Sequence, residues 1–138
     1  MTRTFVLDSF AVLALLGREP GSQEVADLLR KAQDEKTRVL MTWVNAGEVA
    51  YIVERRWGAE RLYAVLAVME ATALEIAPVE REMALMAAHI KAEHAIAYAD
   101  TFAAALAQRC AAKLVTGDPE FKLLEMVLDI HWLPQRES

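Results

Sequence analysis

Four acidic residues, Asp8, Glu48, Asp100 and Asp118, stand against apolar runs in this 138-residue chain. Asp8 closes Thr4-Phe5-Val6-Leu7, and Asp118 follows Lys113-Leu114-Val115-Thr116-Gly117. Glu48 comes soon after Val39-Leu40-Met41-Thr42, and Asp100 opens a nearly all-alanine stretch. A carboxylate among apolar neighbours is costly unless it is paired, hydrogen-bonded or bound to a metal. In α/β folds, ligands bind beyond the carboxyl ends of parallel strands. Carboxylates at such places point to one acidic pocket, and an acidic pocket points to Mg²⁺ or Mn²⁺.

Such an ion generates a nucleophile from bound water and neutralises charge building on a phosphate, and a pair of ions does both. Clustered carboxylates without a general-base histidine fit that chemistry. Ser9 and Thr116 are candidate hydroxyls to orient the carboxylates from behind. His89, His94 and His131 form no i,i+4 pair and no HExxH, which argues against zinc. GxGxxG, Walker A and GxSxG patterns are absent. A phosphoaspartate enzyme usually has a second Asp two residues after the nucleophile, where this chain has Phe10.

Each acid also has an ordinary reading. Asp8 and Asp118 suit helix N-caps, and Pro119 suits a first helical position. Asp100 falls in a first helical turn, where negative charge is stabilised by the dipole. Glu48 shares a helix face with Val44, Tyr51 and Ile52 instead of the solvent face expected for Glu54, Arg55 and Arg56. The conjunction carries more than any one residue. Asp8 and Asp118 follow strands, the other two lie near helix starts, and a parallel sheet brings all four points to one edge.

The elements that must position them alternate between short apolar runs and longer helical ones, the pattern of an α/β sheet with parallel strands. Strands are expected at Thr4–Leu7, Arg38–Met41, Leu74–Ala77, Lys113–Thr116 and Ile130–Leu133. Helices are expected at Ser9–Leu16, from a Ser22 cap onward, from a Thr42 cap to Trp57, at Ala59–Ala71, Glu80–His94 and Ala99–Ala112, with a short turn or helix from Asp118. Gly58 and Pro78 act as stops. The length suits one domain over residues 1–138.

The chain is 55% hydrophobic and 25% charged, enough for a real core and unlike a disordered chain. Its net charge of −5 is a poor footprint for nucleic acid, although a metal-binding acid cluster itself contributes several of those charges. Arg18, Arg55, Arg56, Lys113 and Lys122 are the candidate phosphate contacts. The single Cys110 excludes an internal disulfide and reads as a buried, inert thiol, so a reducing cytoplasm is the expected setting. No apolar run approaches the ~18 residues of a membrane span.

The opening Phe5-Val6-Leu7-Asp8-Ser9, the helical Glu48, the run Tyr98-Ala99-Asp100-Thr101-Phe102-Ala103-Ala104-Ala105 and the run Leu114-Val115-Thr116-Gly117-Asp118-Pro119-Glu120-Phe121 resemble PIN domains, most closely VapC-type toxins of prokaryotic type II toxin–antitoxin pairs. The resemblance covers nearly the whole chain. It implies a three-layer α/β/α fold with a central, mostly parallel sheet of about five strands. It further implies a Mg²⁺- or Mn²⁺-dependent endoribonuclease that acts as a homodimer and is held in check by a VapB-type antitoxin. Asp8, Glu48, Asp100 and Asp118 match the family's acidic quartet. Asp8 and Asp100 would be direct ligands, while Glu48 and Asp118 would act through water. Thr116 matches a hydroxyl position near the fourth acid. Two departures stand out: Phe10 replaces a small hydroxyl residue, and Ala97 replaces a helix-capping Ser. A phosphohydrolase of small phosphate esters and a non-catalytic binding module are the competing readings.

Overall fold

The computed structural model describes residues 2–134. Five strands, β1 (Arg3–Leu7), β2 (Thr37–Thr42), β3 (Leu74–Ala77), β4 (Lys113–Thr116) and β5 (Ile130–Trp132), form one sheet in the order β3-β2-β1-β4-β5. All four pairings are parallel, so the expected parallel sheet is observed. Six α-helices flank it: α1 (Ser9–Leu16), α2 (Ser22–Gln33), α3 (Trp43–Trp57), α4 (Ala59–Ala71), α5 (Arg81–Glu93) and α6 (Tyr98–Arg109). A 3₁₀ helix, Pro119–Leu124, follows β4.

The layering follows from the alternation of side chains along each strand. Val6, its register partners Leu40 and Leu114, and the buried faces of α5 and α6 make one core. Phe5, Leu7, Val39, Met41 and Val115 point the other way and pack with α1, α2, α3 and α4. Both sheet faces are covered, which is why β1, β2 and β4 read as continuous apolar runs instead of alternating ones.

Strand order reverses between β1 and β4, because the chain builds outward through β2 and β3 and then crosses back. A crevice beyond the carboxyl ends of the strands opens at such a reversal. Asp8 and Asp118 follow these two strands, so the candidate site lies there.

Several expected boundaries shift for identifiable reasons. Gly21, not Ser22, is the N-cap of α2; its φ of 94° lies in the left-handed region. A Cβ there would meet Leu133 Cβ at 3.1 Å, so both backbone and packing favour glycine. Glu80 and His94 are the caps of α5, not part of it, and the Glu80 carboxylate accepts the Met83 N–H at 3.0 Å. Helix α6 begins at Tyr98 and stops at Arg109, so Cys110 is its half-buried C-cap, more accessible than a core thiol. Leu133 is buried just outside β5. Among the described residues, no helix is long and apolar enough to cross a membrane.

Candidate active site

Asp8 follows β1 and caps α1. It is 1% exposed, and its Oδ1 accepts the Ala11 N–H at 2.9 Å. Its Oδ2 accepts the Thr116 hydroxyl from the end of β4. Thr116 Oγ1 in turn accepts the Asp118 N–H at 3.0 Å, and Asp118 Oδ1 caps the 3₁₀ helix by accepting the Glu120 N–H at 2.9 Å. Capping and clustering are therefore the same geometry: the cap bonds aim Asp8 and Asp118 at the crevice. Asp100 lies in the first turn of α6 and is buried, while Glu48 is half-buried in the second turn of α3.

A fifth acid joins them. One carboxylate oxygen from each of Asp100, Asp118 and Glu120 lies within 4.8 Å of the other two. In sequence, Glu120 shows only as negative charge in the first turn after Pro119. Ala97, the exposed N-cap of α6, has a backbone N–H whose acceptor lies outside its own helix. Glu120 Oε1 is that acceptor, across the crevice.

Electrostatics tie the five together. Burial pushes Asp8 up to about 7, against the lowering pull of Thr116 and the Ala11 N–H; Asp118 and Glu48 push it further up. Burial also raises Asp100 to about 8, helped by the charges of Asp8, Asp118, Glu120 and Glu48. The ion pairs of the described residues lie elsewhere, and none includes one of these five acids. Crowded carboxylates with no cation among them are held against their own repulsion.

A family profile for the PIN domain matches residues 5–125. This chain belongs to the PIN-domain family. No curated protein matches its sequence. Among solved structures, the PIN domain is similar to VapBC2 from Rickettsia felis bound to a promoter DNA fragment, with a TM-score of 0.73 at 18% identity over 95% of this chain and 99% of that one. It is similar to DNA-bound VapBC from Salmonella typhimurium, with a TM-score of 0.71 at 20% identity over 95% and 98% of the two chains. It also resembles Mycobacterium tuberculosis VapC20, described as a sarcin-ricin loop cleaving toxin, with a TM-score of 0.62 at 17% identity over 86% and 92%.

An all-oxygen donor set of this kind suits a hard divalent cation, which takes carboxylate ligands and retains water. Asp100, Asp118 and Glu120 present the tightest group of ligand atoms among the described residues.

The other sequence-predicted residues divide. Thr116 bonds Asp8 directly. Ser9 bonds no carboxylate; its hydroxyl donates to the Asn45 carbonyl at 3.2 Å, so it acts on α3 instead. Arg18 follows α1 and Lys113 starts β4, each at the end of its element farthest from the acids. Arg55 and Arg56 lie near the end of α3, where the Arg55 guanidinium stands 5.3 Å from the Tyr51 ring centroid. Lys122 is exposed on the 3₁₀ helix, two positions beyond Glu120. His89 pairs with Glu93 and His131 with Glu24.

Phe10, the departure after Asp8, packs over the loop that carries Asp118. A Cβ on Gly117 would stand 2.4 Å from Phe10 Cε1 and 2.7 Å from Cζ. Gly117→Ala is therefore expected to cost about 1–3 kcal/mol, the usual range for overpacking. It also displaces Thr116 and Asp118, which flank it. Urea denaturation reads the stability loss, and Phe10→Leu in the same chain is expected to restore most of it. A fully stable Gly117→Ala protein would show that the ring does not confine this loop.

Proposed function

We propose that this PIN domain is a Mg²⁺- or Mn²⁺-dependent endoribonuclease and the toxin half of a VapBC-type toxin–antitoxin pair. The observation that carries the reading is a set of five acids, none of them in an ion pair among the described residues, at the strand-order reversal of a PIN fold. In this reading Asp8 and Asp100 are direct ligands, and Glu48 and Asp118 hold the ion through water or position the attacking water. Glu120 completes the oxygen set beside Asp100. When bound, the cation supplies an activated water and offsets charge on the scissile phosphate.

The protein's own part is pre-organisation. The Ala11 N–H and the Thr116 hydroxyl hold both oxygens of Asp8, which fixes its orientation before any ligand arrives. The Asp118 bond caps the 3₁₀ helix, and the Glu120–Ala97 bond ties that helix to the start of α6. Bound cation would lower the Asp8 and Asp100 pKa values and release their protons at neutral pH.

The likeness to VapBC complexes supports a VapB-type antitoxin as partner; a homodimer and a cytoplasmic setting belong to the same reading. An antitoxin Arg or Lys directed at the acids would satisfy the same unmet charge as the metal.

The test is cleavage of a labelled mixed RNA pool in Mg²⁺, Mn²⁺ or EDTA, with a chromogenic small phosphate ester in parallel. RNA cutting in either metal, none in EDTA and no ester turnover is the expected result. Ester hydrolysis with intact RNA would replace this reading with that of a small-phosphoester phosphohydrolase.

A further inference from the structure

Asn45 is fully buried on α3, one turn before Glu48. Its backbone N–H donates to Thr42 Oγ1 at 3.0 Å, and that hydroxyl donates back to Asn45 Oδ1 at 2.6 Å. Its Nδ2 donates to the Ala99 carbonyl on α6 at 3.1 Å. Its own carbonyl accepts the Ser9 hydroxyl at 3.2 Å. The orientation of the amide is dictated by these partners. A carbonyl only accepts, so the nitrogen must face Ala99; the oxygen then faces the one hydroxyl with a hydrogen to give.

The partners are chain neighbours of the acids. Ser9 adjoins Asp8, Ala99 adjoins Asp100, and Asn45 itself stands one helix turn before Glu48. One side chain and its backbone thus tie together the starts of α1, α3 and α6. Helices α3 and α6 belong to opposite layers of the sandwich and meet here beyond the sheet edge, so the sheet alone does not set their spacing. An alanine at 45 would leave the Ala99 carbonyl and the Thr42 hydroxyl without these partners inside the protein.

We propose that Asn45 is a positioning residue: its bonds to Thr42, Ala99 and Ser9 set the distances among Asp8, Glu48 and Asp100 that the divalent cation requires. The inference rests on the metal-dependent reading of the site above. Outer partners that orient metal ligands are typically worth about 10–100-fold in metal affinity.

The experiment uses the full chain and compares wild type, Asn45→Ser and Asn45→Ala with Val65→Ala, a buried truncation on α4 that tests stability loss alone. Mn²⁺ affinity is measured by titration calorimetry, and the melting-temperature increment on adding Mn²⁺ is measured beside it. RNA cleavage is resolved into kcat and KM. The Asn45 variants are expected to bind Mn²⁺ at least about 10-fold more weakly. They should show a smaller Mn²⁺ increment and lose kcat with KM for RNA near wild type. Val65→Ala should melt lower but keep wild-type Mn²⁺ affinity.

Wild-type Mn²⁺ affinity in folded Asn45→Ser overturns the proposal, and so does an equal loss in Val65→Ala. If Asn45→Ala does not fold, Asn45→Ser decides. Asn45-dependent Mn²⁺ binding without any RNA cleavage would uphold the positioning role and reject the nuclease. No Mn²⁺ binding by wild type would overturn both.

Discussion

Asp8→Asn and Asp100→Asn are each expected to abolish metal-dependent RNA cleavage while leaving the fold intact. Both changes keep the size of the side chain and remove its charge. In Asp8→Asn the amide oxygen still accepts the Ala11 N–H, and Thr116 can turn its lone pair toward the new NH₂. The lost interaction is the carboxylate's charge on the divalent cation, and loss of one electrostatic stabiliser of a transition state typically costs roughly 100–1,000-fold in kcat. Loss of the cation itself would cost more. The measurement is single-turnover cleavage of a short labelled RNA at saturating Mn²⁺, with circular dichroism as the folding control. Equal cutting by wild type and both variants would assign the activity to a contaminant. Wild-type rates in Asp100→Asn alone would remove Asp100 from the ligand set.

The second large effect is on stability, and it changes with pH and metal. Asp8 and Asp100 rise from an ordinary 3.8 to about 7 and about 8 in the folded chain. The folded protein therefore holds protons that the unfolded chain has released from pH 4 upward. The stabilisation is fully present below pH 4, declines as pH rises through the two folded values and is gone above pH 8 or so. At about 1.4 kcal/mol per unit, Asp8 alone accounts for something on the order of 4 kcal/mol.

In EDTA, the melting temperature should thus fall between pH 5 and pH 9. Mn²⁺ competes with those protons, so its stabilising increment should grow over the same range. Asp100→Asn should flatten the EDTA curve and melt above wild type at pH 9, because the burial and repulsion of one charge are relieved. A first-turn dipole role alone gives the opposite sign, a loss of about 0.3–1 kcal/mol. If Asp100→Asn melts well below wild type at pH 9 and Mn²⁺ leaves both curves unmoved, the acidic pocket is not a cation site.

Much of the scaffold was legible because its signals are local. The Thr42 cap, the Gly58 stop and the apolar run at β4 act through adjacent residues, and they recur at the positions read from sequence. The start of α2 was misread because Gly21 is selected partly by Leu133, more than a hundred residues away. The end of α6 was overrun because alanine-rich sequence stays apolar past the last helical hydrogen bond, with Ala111 turning into the left-handed region.

The sequence by itself determined which residues carry charge in apolar surroundings. Asp8 and Asp118 were placed at strand ends, because a carboxylate closing an apolar run is a feature of adjacent residues. Which acids meet was a tertiary decision. Glu120 enters the cluster because the fold brings the 3₁₀ helix to the start of α6, where its carboxylate accepts the Ala97 N–H. Asn45 acquires its partners only when α3 and α6, from opposite sides of the sheet, converge on one edge. Charge type is written along the chain, whereas burial and mutual distance depend on contacts between segments far apart in it. Those two quantities raise Asp8 and Asp100 far above ordinary carboxylates.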